Sequence, residues 1–419
     1  MSATGIGAGA RQRAVITGIG VVAPTGIGAR RHWESVLAGK SGLGRITRFD
    51  PAGYPVKVAG EVPGFDARGE VPGRLVPQTD RFTHFALAAA RAALDDASAD
   101  PVAFPEYEMA VVTASSSGGT EFGQQEMERL YRKGPSWVGA YQSIAWFYAA
   151  TTGQVSIRHG MRGPCGVLCC EQAGGLDALG QARRLLDTGS RLVLSGGTDA
   201  SLCPYGLVAQ LSSGGLSTVD DPARAYLPFD PSAQGHVPGE GGAFLVVERA
   251  GSAAARGARP YGEVLGYAAG FDPVEGSGRA AVLAAVVRRA LADASMTPDR
   301  VDVVFADAAG APAADHAEAR ALTEVFGAGA VPVTAPKSLT GRLYAGGAAL
   351  DVATALLALS SGVVPHTVGP RPRRHGPAAE IDLVLDQPRS SGPRTALVLA
   401  RGHGGFTSAL LLGAGDRTL

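Results

Sequence analysis

The chain of 419 residues carries 38 basic and 38 acidic side chains, so its formal charge is zero and its pI lies near 7.1. That balance gives no field to attract nucleic acid or a membrane surface, which removes both from the expected partners. The length suits one large domain or two fused modules, either able to bury a core.

Short runs rich in Val, Ile and Leu alternate with Ala-rich helical segments, the pattern of mixed α/β layers. Met1 to Arg13 has no charged stretch followed by a long apolar run, and no apolar segment of about 18 residues is expected anywhere, so a cytoplasmic location is expected. Ala14 to Gly18 reads as the first strand, His84 to Ser98 as a helix and Met109 to Ala114 as a second strand. The turn Ser115 to Gly119 then leads into a helix over Glu121 to Arg132.

The next element is the most informative. Gly163 to Ala178 reads as a short apolar strand, a tight turn and a helix over Ala173 to Thr188. A side chain at such a turn lies near the positive end of the helix dipole, where a thiolate would be stabilised and reactive. The residue there is Gln172, whose carboxamide has no nucleophilic lone pair and no useful pKa. Cys165, Cys169 and Cys170 lie close by, with Cys203 further on, and their spacing does not suit a disulfide framework. All are expected to be small packing groups, Cys169 and Cys170 through an apolar strand that turns one or both inward.

Beyond the elbow, strands are expected over Arg191 to Ser195, Ala243 to Glu248, Val301 to Phe305, Ile381 to Leu385, Ala396 to Ala400 and Ala409 to Leu412. Helices are expected over Ala280 to Ser295, His316 to Phe326 and Ala345 to Ser360. Pro365 to Arg374 is too rich in proline for either and should be a surface loop. Two halves, 1–250 and 251–419, share a plan: a long helix after a glycine turn (Gly174-Gly175, Gly346-Gly347) and an apolar hairpin at the close.

At the elbow, and at Ala14 to Thr25, Pro228 to Glu248, Pro336 to Asp351 and Gly402 to Ser408, the chain resembles the β-ketoacyl synthases of the thiolase superfamily. The likeness runs from about Arg13 to Leu412 and implies a thiolase-like α/β fold, two duplicated halves in α-β-α-β-α layers. Such enzymes use a cysteine that carries the acyl chain and two histidines that serve decarboxylation of malonyl carrier protein and stabilise the thioester oxyanion. By position the cysteine is replaced by Gln172 and the histidines by Asp307 and Arg342, while the family's lysine remains as Lys337.

Loss of all three groups on an intact scaffold resembles the chain length factor, or ketosynthase β subunit, of type II aromatic polyketide synthases. Glu171 to Ala178, Ser201 to Pro204 and Ala223 to Asp230 are similar to that subfamily. The resemblance implies a heterodimer with a catalytic ketosynthase α subunit and a polyketide tunnel at their interface. Substrates would arrive on the phosphopantetheine arm of an acyl carrier protein, with no cofactor bound to this chain. An alternative is a malonyl carrier protein decarboxylase that primes the partner through Gln172, although the imidazoles such a step would use are gone.

Transferred by position, the tunnel side chains are Thr120, Gly123 and Met127, whose spacing shares one helical face over roughly 10 Å at about 1.5 Å per residue. Bulky aromatic residues close the tunnel early in the subfamily, so a hydroxyl, a bare glycine and a thioether point to a deep cavity and a long product, decaketide or beyond. Tyr205 is expected to add to the wall. Asp307 and Arg342 should pair, since two buried unpartnered charges would be costly. His316, between Asp315 and Glu318, is expected to cap or decorate a helix rather than bind metal. Gly118-Gly119 and Gly402 to Gly405 should be close backbone approaches, and Arg371, Arg373 and Arg374 a solvated face rather than a carrier protein contact.

Overall fold

The computed structural model describes residues 12–273, 282–369 and 379–418. The basic loop of Arg371, Arg373 and Arg374 lies outside the described residues. The first half of the chain runs β1 (Ala14–Ala23), β2 (Gly26–Ile27), α1 (Ala29–Leu37), β3 (Leu43–Arg45), β4 (Val58–Gly60), α2 (Ala67–Glu70), α3 (Arg81–Asp96) and β5 (Met109–Ala114). It continues α4 (Thr120–Lys133), α5 (Gln142–Ala145), α6 (Ala150–His159), β6 (Cys165–Leu168), α7 (Gly174–Asp187), β7 (Leu192–Asp199), α8 (Pro204–Leu211) and β8 (Gly241–Arg249). The rest comprises α9 (Ala250–Ala255), β9 (Gly262–Phe271), α10 (Leu283–Asp293), β10 (Val303–Phe305), α11 (Pro312–Phe326), β11 (Pro332–Thr334), α12 (Gly347–Ser361), β12 (Asp382–Leu383), β13 (Thr395–Arg401) and β14 (Phe406–Ala414).

The strand order β12-β11-β10-β13-β14-β9-β1-β8-β7-β5-β6 mirrors itself about the β9/β1 seam. On each side the seam strand meets an antiparallel hairpin, and parallel strands follow outward. The seam itself is a short antiparallel pairing of Val15 with Glu263 and Ile16 with Gly262. Helix α3 covers β1, β8 and β7 from outside, α10 covers β9 and β14, and α7 and α12 lie between, touching strands of both sides. That is the five-layer α-β-α-β-α arrangement.

Close approaches explain where the sequence reading stopped short. β1 runs on through Gly18 to Ala23, because its glycines admit α3: a methyl at Gly20 would lie 2.7 Å from the Ala93 amide nitrogen. Strand β9 has no counterpart among the expected strands. Its run GEVLGYAAGF hides the pattern because Gly270 must receive Val286 of α10, which a methyl would meet at 2.7 Å. The central helices touch in the same way, a methyl at Gly175 falling 2.6 Å from the Ala349 nitrogen.

Tyr344–Ser361 is apolar enough over 18 residues to cross a membrane by length and composition, contrary to the expectation that no such segment occurs. It is 89% buried, the core helix between the two sheet halves. The Pro365 segment is irregular as expected but not superficial where it is described: Pro365 and Thr367 are buried, and Thr367 accepts a hydrogen bond from the Ala335 amide at 2.8 Å. Backbone groups with no ladder partner had to be met inside the core, and the threonine hydroxyl does so.

Candidate functional site

Strand β6 ends at Leu168, and the chain turns through a single helical turn, Glu171–Ala173, into α7. Glu171 takes φ of 49°, a left-handed conformation uncommon outside glycine, which marks a sharp elbow. Gln172 is 0% exposed and turns inward rather than out. Its carboxamide lies against the start of α12, where a methyl at Gly347 would be 2.7 Å from Oε1, and neither Nε2 nor Oε1 has a hydrogen-bond partner.

In front of the elbow is a cavity of about 530 Å³ whose wall includes Glu171 but not Gln172. The Glu171 carboxylate accepts the His403 amide at 2.8 Å, which ties the glycine loop after β13 to the elbow. Gly402 belongs to the same approach, since a methyl there would crowd the Glu171 side chain at 3.2 Å. Ser116 and Thr120 line the cavity as well, and Ser116, Ser117 and Ser201 all donate hydroxyls to the buried carboxylate of Asp199.

Asp307 and Arg342 line the cavity and pair in a bidentate bridge, Nη2 to Oδ1 at 3.0 Å and Nη1 to Oδ2 at 3.1 Å. Both are buried, as the expectation of a pair required. Arg342 also donates to the Arg401 carbonyl at 2.7 Å, and Asp307 Oδ1 accepts the Arg401 amide at 2.8 Å. Lys337 donates to the Asp307 carbonyl at 3.0 Å and pairs with Asp351 at 2.9 Å. Burial alone would push Asp307 upward, but Arg342, Lys337 and Arg401 outweigh it and hold the carboxyl below the ordinary range.

The loop that carries Asp307 is gripped by α11. Glu318 accepts the amides of Asp307 and Ala308 at 2.7 and 2.8 Å, and Asp315 accepts those of Phe229 and Gly310 at 2.8 and 3.1 Å. Burial pushes Asp315 up to about 6, and burial with the Asp307 charge pushes Glu318 up to about 7. Glu318 is nevertheless spent on the backbone and does not face the cavity. His236, which does, is pushed down to about 3 by burial, so its imidazole is a poor base. The arrangement holds charge firmly, and none of the three positions 172, 307 and 342 presents a nucleophile or a histidine.

Of the expected tunnel residues, Thr120 lies on the cavity wall, buried. Gly123 is buried beneath Trp146, whose Cδ1 a methyl there would meet at 2.7 Å. Met127 is 37% exposed and Tyr205 45% exposed, both off that wall, though the Tyr205 amide bonds Gln124 of α4 at 2.9 Å. Glu171, His236, Tyr344 and His403 also line the cavity, and none of them was expected as a site residue. His236 stands alone between Gly235 and Val237, with no local signal to find it.

The cysteines differ from the expectation. Cys165 and Cys169 are exposed and Cys170 half-buried, while Cys203 alone among them is buried. The reason is topological: β6 is the last strand of the sheet, with one edge unpaired. Beside α4 and α5 the surface carries Tyr131, Trp137, Tyr141, Ile144, Trp146, Phe147 and Tyr148, all exposed. His316 is a surface residue whose Nδ1 lies 3.8 Å from Glu380, and no group of His, Cys, Asp or Glu among the described residues could hold a metal ion.

Models of the β-ketoacyl synthase N-terminal and C-terminal domains match residues 11–253 and 261–370. The tetracenomycin polyketide synthase ketoacyl synthase beta subunit of Streptomyces glaucescens is 59% identical over 400 residues, covering 95% of this chain and 97% of the relative. The solved ishigamide ketosynthase/chain length factor matches with a TM-score of 0.88 and 28% identity, over 97% of this chain and 100% of that one. A type II polyketide synthase acyl carrier protein in complex with its ketosynthase, bound to the hexaketide, matches at 0.86 and 26%, over 96% and 100%.

Proposed function

The chain belongs to the β-ketoacyl synthase family, among the ketosynthase β subunits or chain length factors of type II polyketide synthases, and we propose that it is the non-condensing half of a ketosynthase heterodimer. Its work in this reading is to complete the elongation tunnel beside a catalytic α subunit and to set polyketide length. The observation that carries the reading is the elbow: Gln172 offers no nucleophile, and its carboxamide is wholly buried off the cavity wall. Covalent acyl transfer needs an activated nucleophile with a base beside it, and the two remaining positions hold charges that neutralise each other.

Partner binding is supported by the exposed aromatic side chains of Trp137, Tyr141 and Trp146, the kind of exposed apolar group that a partner surface covers. The unpaired edge of β6 adds hydrogen-bonding groups that a partner strand would satisfy. Substrates come on the phosphopantetheine arm of an acyl carrier protein, in the cytoplasm. The small hydroxyl of Thr120 on the cavity wall supports a long product, decaketide or beyond. We also read residues 1–250 and 251–419 as two copies of one unit, which the mirrored strand order supports. A decarboxylase acting through Gln172 draws support from the carboxamide's lack of partners but is opposed by its burial.

Mass spectrometry of products from malonyl carrier protein tests the reading, with this chain alone, a catalytic partner alone, and both. Long polyketides from the mixture only are expected. Condensation products from this chain alone would refute it, and carbon dioxide release abolished by Gln172→Ala would favour the decarboxylase.

A further inference from the structure

Three glycines open one side of α4 and the turn before it. A methyl at Gly118 would lie 3.2 Å from the Tyr148 nitrogen, one at Gly119 2.9 Å from the Ala145 carbonyl carbon, and one at Gly123 2.7 Å from Trp146 Cδ1 and 3.4 Å from its Nε1. The segment from α5 to Tyr148 lies in that slot, held by the Gly119 amide donating to the Trp146 carbonyl at 3.1 Å. Farther along, the Gly139 amide donates to the buried carboxylate of Glu126 at 2.6 Å, fixing the loop that leads back to the slot. The space left by the missing side chain at 123 is therefore filled by an indole, which is itself 51% exposed on its outer side.

We propose that Trp146 is a specificity-determining residue for product length: its indole, seated on Gly123 and exposed outside the cavity of the lone chain, is the surface of the α4 wall that the growing chain meets once the partner closes the tunnel over it. The proposal rests on the reading of α4 as the length-setting wall. It makes depth a property of two elements together, the glycine of α4 and the tryptophan laid across it. A methyl at 123 has nowhere to go except by driving the indole outward, because the backbone of α4 lies behind it.

The test uses the heterodimer with a catalytic ketosynthase, carrier protein and malonyl donor, and reads product mass. Trp146→Ala is expected to lengthen the main product by at least one acetate unit, and Gly123→Ala to shorten it. Gly123→Ala in the Trp146→Ala background is expected to add nothing, since the group it displaces is gone. If Trp146→Ala fails to assemble with the partner, Trp146→Leu, which keeps an apolar seat on Gly123, carries the same expectation. Unchanged length with Trp146 replaced, while Thr120→Phe shortens the product, would overturn the proposal and leave the wall reading standing. Unchanged length in every variant, Thr120→Phe included, would remove the wall reading itself.

Discussion

Replacing Asp307 by alanine strands a guanidinium that is buried and bonded to that carboxylate at 3.0 and 3.1 Å. Two carbonyl contacts to Arg342 remain, at 2.7 Å from Arg401 and 3.2 Å from residue 307 itself, so the cation keeps hydrogen bonds but loses its counter-charge. Breaking a buried pair from one side costs roughly 3–5 kcal/mol. With an unfolding entropy of about 2 cal/mol/K per residue, a chain of this size should lose about 3–6 °C in Tm. The pair Asp307→Leu with Arg342→Met removes both charges and should recover most of the loss, because apolar replacement of a buried pair is often neutral. Asp307 is held below the ordinary carboxylate range, so its contribution is complete above that range and disappears as pH falls through the lowered value. Differential scanning calorimetry at neutral and at acid pH reads both effects. An Asp307→Ala chain with unchanged Tm at neutral pH would refute the claim that this bridge holds positions 307 and 342 in place.

Asp80 caps α3 through Phe82 and also accepts the Phe122 amide at 2.7 Å, and burial pushes it up to about 7. It binds a proton more tightly folded than unfolded, so stability should fall as pH rises from the ordinary carboxylate value to about 7, and Asp80→Asn, which keeps only one of the two acceptor oxygens, should flatten that slope at a cost of about 1 kcal/mol, read by urea unfolding across pH. Cys165 is exposed on the free edge strand, so a maleimide should label it in the isolated chain and label it much more slowly in the heterodimer; equal labelling would place the partner elsewhere. Cys170, pushed up to about 12 chiefly by burial, should label far more slowly than Cys165. Met127 stands off the cavity wall, so Met127→Phe should leave the product mass unchanged in the heterodimer, and a shorter product would return Met127 to the gate.

The helices and the hydrophobic strands were legible because their periodicity is local. β9 was not, since a strand whose Gly266 and Gly270 face α10 has given up the side chains that make a strand recognisable. The elbow and the paired charges at 307 and 342 could be found from residue type and position, because what they lack is visible in the letters. The inward turn of Gln172 could not, as it depends on Gly347 of a helix that begins far along the chain. The same limit applies to Gly123: a glycine in the sequence reads as empty space, and only the fold reveals Trp146 in it. Cys165 and Cys169 were misplaced because an apolar strand gives no sign of whether it ends a sheet.

The central claim is that this chain, and not its catalytic partner, decides where elongation stops. The direct measurement pairs it in turn with two catalytic ketosynthases whose own complexes make products of different length, and weighs the polyketides by mass spectrometry. The account predicts one length, the same with either partner. A product whose length follows the catalytic partner would contradict it.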